Sequence, residues 1–124
     1  MLKENMATIT IPKKRLYKIV RNAINKFFVI RVFHSNGSTS LPPKGYKTWI
    51  DYWESKKGEL PSDYVCPSCN DKKQNIFVGG HVTNEDKETF ICPVCSKCNN
   101  TYKGDNACKH PFYVNKKWLL LTPK

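Results

Sequence analysis

The residues able to do chemistry in this chain are gathered between Cys66 and Asn100. Cys66-Pro67-Ser68-Cys69 and Cys95-Ser96-Lys97-Cys98 are Cys-x-x-Cys pairs, each offering two thiolates close together in space. Two such pairs are what a tetrahedral zinc ion takes, with sulfur in every position and none left for water. A site of that kind is structural, because it has no open position at which to activate a nucleophile. Cys92 stands three residues before Cys95, so Cys92/Cys95 is a rival second pair. Cys95/Cys98 is preferred because it can sit where a strand runs into a helix and is followed by Asn99. Cys108 and His110 read as a buried thiol and a loop imidazole, either of which could replace a ligand.

Local sequence says which elements must hold these groups. Pro67 restricts one φ angle and Asn70-Asp71 favour a turn, which suits a tight knuckle around the first pair. Residues Asn75–Val82 and Lys87–Val94 can pair as a hairpin about Asn84-Glu85-Asp86. A short helix is expected over Cys95–Tyr102, ended near Lys103-Gly104. Knuckle, hairpin and helix around one zinc ion make a treble-clef arrangement in an α+β chain.

Upstream, a helix opens at Thr10 or Ile11, with Pro12 in its first turn. Leu16, Ile19, Val20, Ala23, Ile24, Phe27 and Phe28 recur at helical spacing on one face. Lys13, Lys14, Lys18, Arg21, Asn22, Asn25 and Lys26 fall largely on the other. The apolar face is expected to pack on the zinc module, and the basic face to meet solvent or phosphates. Phe28–His34 has strand composition, with His34 expected at the surface. Ser35–Gly45, with Asn36-Gly37 and Pro42-Pro43, reads as a linker. The expected division is therefore a basic helix–strand arm, 1–40, and a zinc domain, 41–124. A second helix over Tyr46–Lys57 places Trp49, Ile50 and Trp53 on one face and ends at Gly58. Its aromatics could stack on bases, but their spacing is that of a core. The tail Phe112–Thr122 suggests one or two strands turning at Asn115-Lys116, and Met1–Thr8 reads as disordered.

At 124 residues the chain is too short for a generous core, and a bound metal is a common remedy. Met1–Thr10 lacks an apolar run, so no signal peptide is expected. Close Cys-x-x-Cys spacing without one favours metal over disulfides and points to a reduced, cytoplasmic setting. No membrane partner is expected, since no run approaches a membrane span and the apolar face of the first helix is needed by the core. The net charge of +11 is uneven: +7 in residues 1–40, +1 in 41–60, −2 in 61–95 and +5 in 96–124. Such asymmetry favours a polyanionic partner, nucleic acid first, without distinguishing DNA from RNA.

The pattern Cys-x-x-Cys, Gly80-His81-Val82, Cys95-x-x-Cys98-Asn99-Asn100 resembles the zinc-containing branch of the HNH endonuclease superfamily. A looser similarity to small HNH-like proteins of bacteria extends from Trp49-Ile-Asp-Tyr-Trp53 to Pro111-Phe112. The resemblance implies a ββα motif in which His81 is the general base and Asn99 a polar partner, with magnesium or another divalent ion assisting phosphodiester hydrolysis. Two positions depart from the pattern: Gly80 stands where active members carry a metal ligand, and Thr89 or Phe90 where they carry an Asn. The first expectation is accordingly a zinc-binding HNH-like domain that binds nucleic acid through phosphates, with Lys13, Lys14, Lys18, Arg21, Lys97 and Lys103 as contacts. A metal-dependent endonuclease and a protein-partner or structural zinc module are the alternatives.

Overall fold

The computed structural model describes residues 12–35, 40–71 and 76–123; within these, the side chains of 21–27, 104, 105 and 108 are not described. The expected disorder of Met1–Thr8, the helix start at Thr10 or Ile11, and the strand start at Asn75 lie outside the described residues. So do the side chains of Arg21 and Cys108. The chain runs α1 (Lys13–Phe28), β1 (Val29–His34), α2 (Trp49–Lys57), β2 (Phe77–Thr83), β3 (Thr89–Cys95), α3 (Ser96–Thr101), β4 (Phe112–Asn115) and β5 (Leu120–Leu121). Short 3-10 turns occupy Gly104–Lys109 and Lys116–Trp118. The strands form one antiparallel sheet in the order β4-β1-β2-β3-β5, an α+β architecture.

The hairpin β2–β3 is the middle of that sheet, and its turn is set by Asn84. The Asn84 side-chain oxygen accepts from the Glu88 amide (2.8 Å) while its amide nitrogen donates to the Glu88 carboxylate (3.0 Å). Lys87 takes a positive φ of 63° to close it. Register then sorts the side chains, because successive residues of a strand point to opposite faces. Gly79 opposite Pro93 and His81 opposite Ile91 share one face; Val78, Gly80 and Val82, opposite Val94, Cys92 and Phe90, share the other.

Helix α2 covers the first face. Thr48 caps it by accepting from the Asp51 amide (3.2 Å), and Gly58 ends it at φ 93°, donating to the Glu54 carbonyl (2.7 Å). Its backbone rests on Gly79: a Cβ there would lie 2.6 Å from the carbonyl carbon of Trp49. Buried Trp53 donates its indole N–H to the Trp118 carbonyl (2.9 Å) and so ties the helix to the tail. The second face carries the core: Val32, Val82, Cys92, Val94, Phe112, Val114 and Leu119, continuous with three of the Cys-x-x-Cys cysteines.

Three expectations change. Strand β1, assigned to the arm, lies inside the sheet, pairing with β4 on one side and β2 on the other. His34 at its end is buried rather than at the surface, because Ile30, Val32 and His34 share the inward face of an alternating strand. Helix α1, in its described side chains, does not pack on the cysteine module. Its substantial contacts are with β1, the strand it leads into, and Leu16, Ile19 and Val20 remain exposed. Among the described residues no helix is long and apolar enough to cross a membrane.

Candidate metal centre

The first pair sits in a knuckle that closes on itself, with the Asn70 amide donating to the Cys66 carbonyl (2.7 Å) and Asn70 at φ 58°. The second pair straddles the end of β3. Cys95 is the N-cap of α3, its sulfur accepting from the Cys98 amide (3.4 Å), while its own amide donates to Cys66 Sγ (3.3 Å). Strand-to-helix turn and knuckle are thus stitched by N–H···S contacts.

The Sγ atoms of Cys66, Cys69, Cys95 and Cys98 all lie within 4.8 Å of one another. Cys69 and Cys95 are separated by 3.8 Å, close to the ~3.8 Å that tetrahedral geometry requires for metal–sulfur bonds of about 2.3 Å. The cluster can therefore hold a metal ion such as zinc. Burial pushes the Cys66 thiol up to about 11 against the hydrogen bonds it receives, and burial raises Cys98 as well. At Cys95 burial also acts upward, but hydrogen bonds from the Cys98 amide and the neighbouring thiols outweigh it and leave the thiol below its ordinary value. Four bare thiolates would be costly in this setting, and a divalent cation is the partner that removes the cost. Cys92 is outside the cluster. It is fully buried, its thiol is raised by burial, and its Sγ sits 3.7 Å from the Pro93 carbonyl, so it is an inert core residue.

Beside the cysteines stands a group that sequence reasoning placed elsewhere. His34 Nε2 shares a 2.9 Å hydrogen bond with Ser68 Oγ, and Ser68 acts to lower the thiol of neighbouring Cys98. His110 donates from Nε2 to the Ser68 carbonyl (2.9 Å), so it anchors the knuckle backbone and is not a ligand. Tyr102 stacks on His110 at 4.3 Å and on His34 at 5.1 Å, filling the space between. Burial, followed by the nearby His110, pushes His34 down to about 4, so it is a neutral imidazole. These are outer-shell contacts of the type that hold ligating groups in place. The period-two alternation of β1 is the signal that would have placed His34 inward.

His81 and Asn99 are not brought together. A Cβ on Gly80 would lie 3.3 Å from Asn99 Oδ1, which puts Asn99 against the Gly80 face of β2. His81, one residue on, points to the opposite face, edge-on to Trp49 at 4.8 Å. It is buried, its Nδ1 has no hydrogen-bond partner among the described residues, and burial lowers its pKa. A cavity of about 510 Å³ opens there, lined by Trp49, Thr89, Thr122, Leu41 and Pro43 besides His81, with no carboxylate side chain among its described lining residues. Gly80 has ordinary φ; it is glycine because Val94 Cγ2 comes within 2.7 Å of where a Cβ would stand. Lys97 lies in the first turn of α3 and Lys103 just beyond its end, and both are exposed, as are Lys13, Lys14 and Lys18 on α1.

Comparison of the chain with protein-family models, with curated proteins and with solved structures gave no match.

Proposed function

We propose that this chain is a zinc-bound, HNH-like treble-clef module that binds nucleic acid through backbone phosphates. The observation that carries the zinc reading is the four-sulfur cluster, set in the order knuckle, hairpin, helix and offering a sulfur for each position of a tetrahedral ion. A closed site leaves the metal a structural part and moves function to the surface. There, exposed Lys97, Lys103, Lys109, Lys116 and Lys117 supply positive charge beside the module, and Lys13, Lys14 and Lys18 supply it on α1. Binding fits the geometry better than cleavage. Phosphodiester hydrolysis by the route the resemblance implies needs a general base and a metal ligand on one site, whereas His81 and Asn99 stand on opposite faces of β2.

The test is a salt titration of binding to plasmid fragments and to RNA with the zinc-loaded protein. Affinity should fall steeply with salt and vary little with sequence, and Lys97→Gln/Lys103→Gln should lower the log–log slope by roughly one for each lysine neutralised. Absence of binding at low salt would leave the zinc module with a protein partner or a structural role. Divalent-metal-dependent nicking abolished by His81→Ala would instead establish the endonuclease.

A further inference from the structure

Among the described residues, helix α1 has an unpartnered apolar face. Leu16, Ile19 and Val20, at i, i+3 and i+4, are 47%, 49% and 48% exposed, values far from those of core residues. Among the described residues these three side chains are not covered by the sheet. Every charge on the helix is positive: Lys13–Phe28 contains four lysines, two arginines and no acidic residue. At 16 residues it is about 24 Å long, too short and too charged to span a bilayer.

We infer that α1 lies in the plane of an anionic lipid surface, its apolar stripe in the acyl boundary and its lysines among the headgroup phosphates. The choice of occupant rests on charge. A second copy would cover the stripe but set one all-basic helix against another, with no acidic residue on either to offset the repulsion. Nucleic acid would satisfy the lysines and leave Leu16, Ile19 and Val20 in water. An anionic bilayer surface satisfies both faces at once, as it does for basic amphipathic helices in general. The inference is independent of the nucleic-acid reading, which can stand on the lysines of the cysteine module. It also reverses the expectation drawn from sequence, whose premise was that the core needs this face.

The experiment is co-sedimentation of the full-length, zinc-loaded chain with vesicles of phosphatidylcholine mixed with phosphatidylserine, and of phosphatidylcholine alone. Partition should be strong on the mixed vesicles and weak on the neutral ones. Leu16→Gln/Ile19→Gln keeps helix propensity while removing apolar area, and should lower partition about tenfold or more. Lys14→Gln/Lys18→Gln should weaken it too, and added salt should act in the same direction. Zinc content and near-ultraviolet circular dichroism check that each variant keeps its fold. No partition on mixed vesicles overturns the inference. So does partition that ignores Leu16→Gln/Ile19→Gln, which would make α1 a simple polyanion binder. Sedimentation equilibrium showing self-association of the free chain, abolished in the same variant, would assign the stripe to a second copy.

Discussion

The two faces of the hairpin each hide a histidine, and the two are treated in opposite ways. His34, on the cysteine side, is 1% exposed and hydrogen-bonded to Ser68, between stacked Tyr102 and tilted Phe112. His81, on the α2 side, is 6% exposed, meets the edge of Trp49, and leaves Nδ1 without a partner among the described residues. A buried polar group left unpaired costs free energy, while one that is paired contributes modestly and fixes geometry. The cysteine side therefore behaves as a finished interior in which polar groups orient one another. The α2 side keeps an unsatisfied imidazole at the wall of a cavity, and burial alone sets its protonation.

The largest effect expected from this difference is on metal removal. Chelation, or Cys98→Ser, should withdraw roughly 10 kcal/mol of folding free energy from the cysteine side and unfold it, read by circular dichroism and urea titration. Stability indifferent to chelator would mean that the four sulfurs are held by packing alone. Next comes Gly79→Ala, which forces a methyl group against the α2 backbone at 2.6 Å; it should cost about 3 kcal/mol in urea denaturation. Gly80→Ala meets the end of a valine side chain instead and should cost less. If the order were reversed, α2 would not be seated as described.

His34→Leu should cost about 2 kcal/mol, since it deprives the Ser68 hydroxyl of a partner beside Cys98. Protonation sharpens the same point. The folded state holds His34 neutral down to about 4, whereas the unfolded chain takes up the proton near the ordinary 6.5. Between these values the unfolded state binds more protons, so stability falls as pH drops from about 6.5 to about 4, with no further loss from this group below that. His34→Asn should flatten the wild-type curve in that window. The smallest effect is assigned to His81→Leu, which replaces an unpaired imidazole by a carbon side chain of similar reach. Its stability should stay within about 1 kcal/mol of wild type, or rise. A loss as large as that at His34 would show that His81 Nδ1 has found a partner and would erase the contrast.

Much of the local structure was legible in the chain itself, because short-range chemistry sets it. Pro67 and Asn70 specify the knuckle, Asn84 the hairpin turn, Gly58 the end of α2, and Asn115 the turn between β4 and the final strand, whereas the start of α2 falls at Trp49, capped by Thr48, and not at Tyr46 as expected. Each acts on its own backbone neighbours within a few residues, so no distant segment can overrule it. The pairing of Cys95 with Cys98 in preference to Cys92 was legible for the same reason, since a strand-to-helix junction places the first two on one side and turns Cys92 inward.

What depends on segments far apart in sequence was decided only when they met. The apolar spacing of α1 states that a face exists but carries no information about what covers it, and the sheet took β1 while leaving Leu16, Ile19 and Val20 of that face exposed. His34 became an interior residue because β4 and the Ser68 knuckle close over it from residues 34 to 78 positions away. His81 and Asn99 look like neighbours in a motif, yet strand alternation sets them on opposite sides of β2. In each case a one-dimensional pattern fixes which residues share a face. Which of those faces is buried, and against what, is settled by competition among all the faces for a small core.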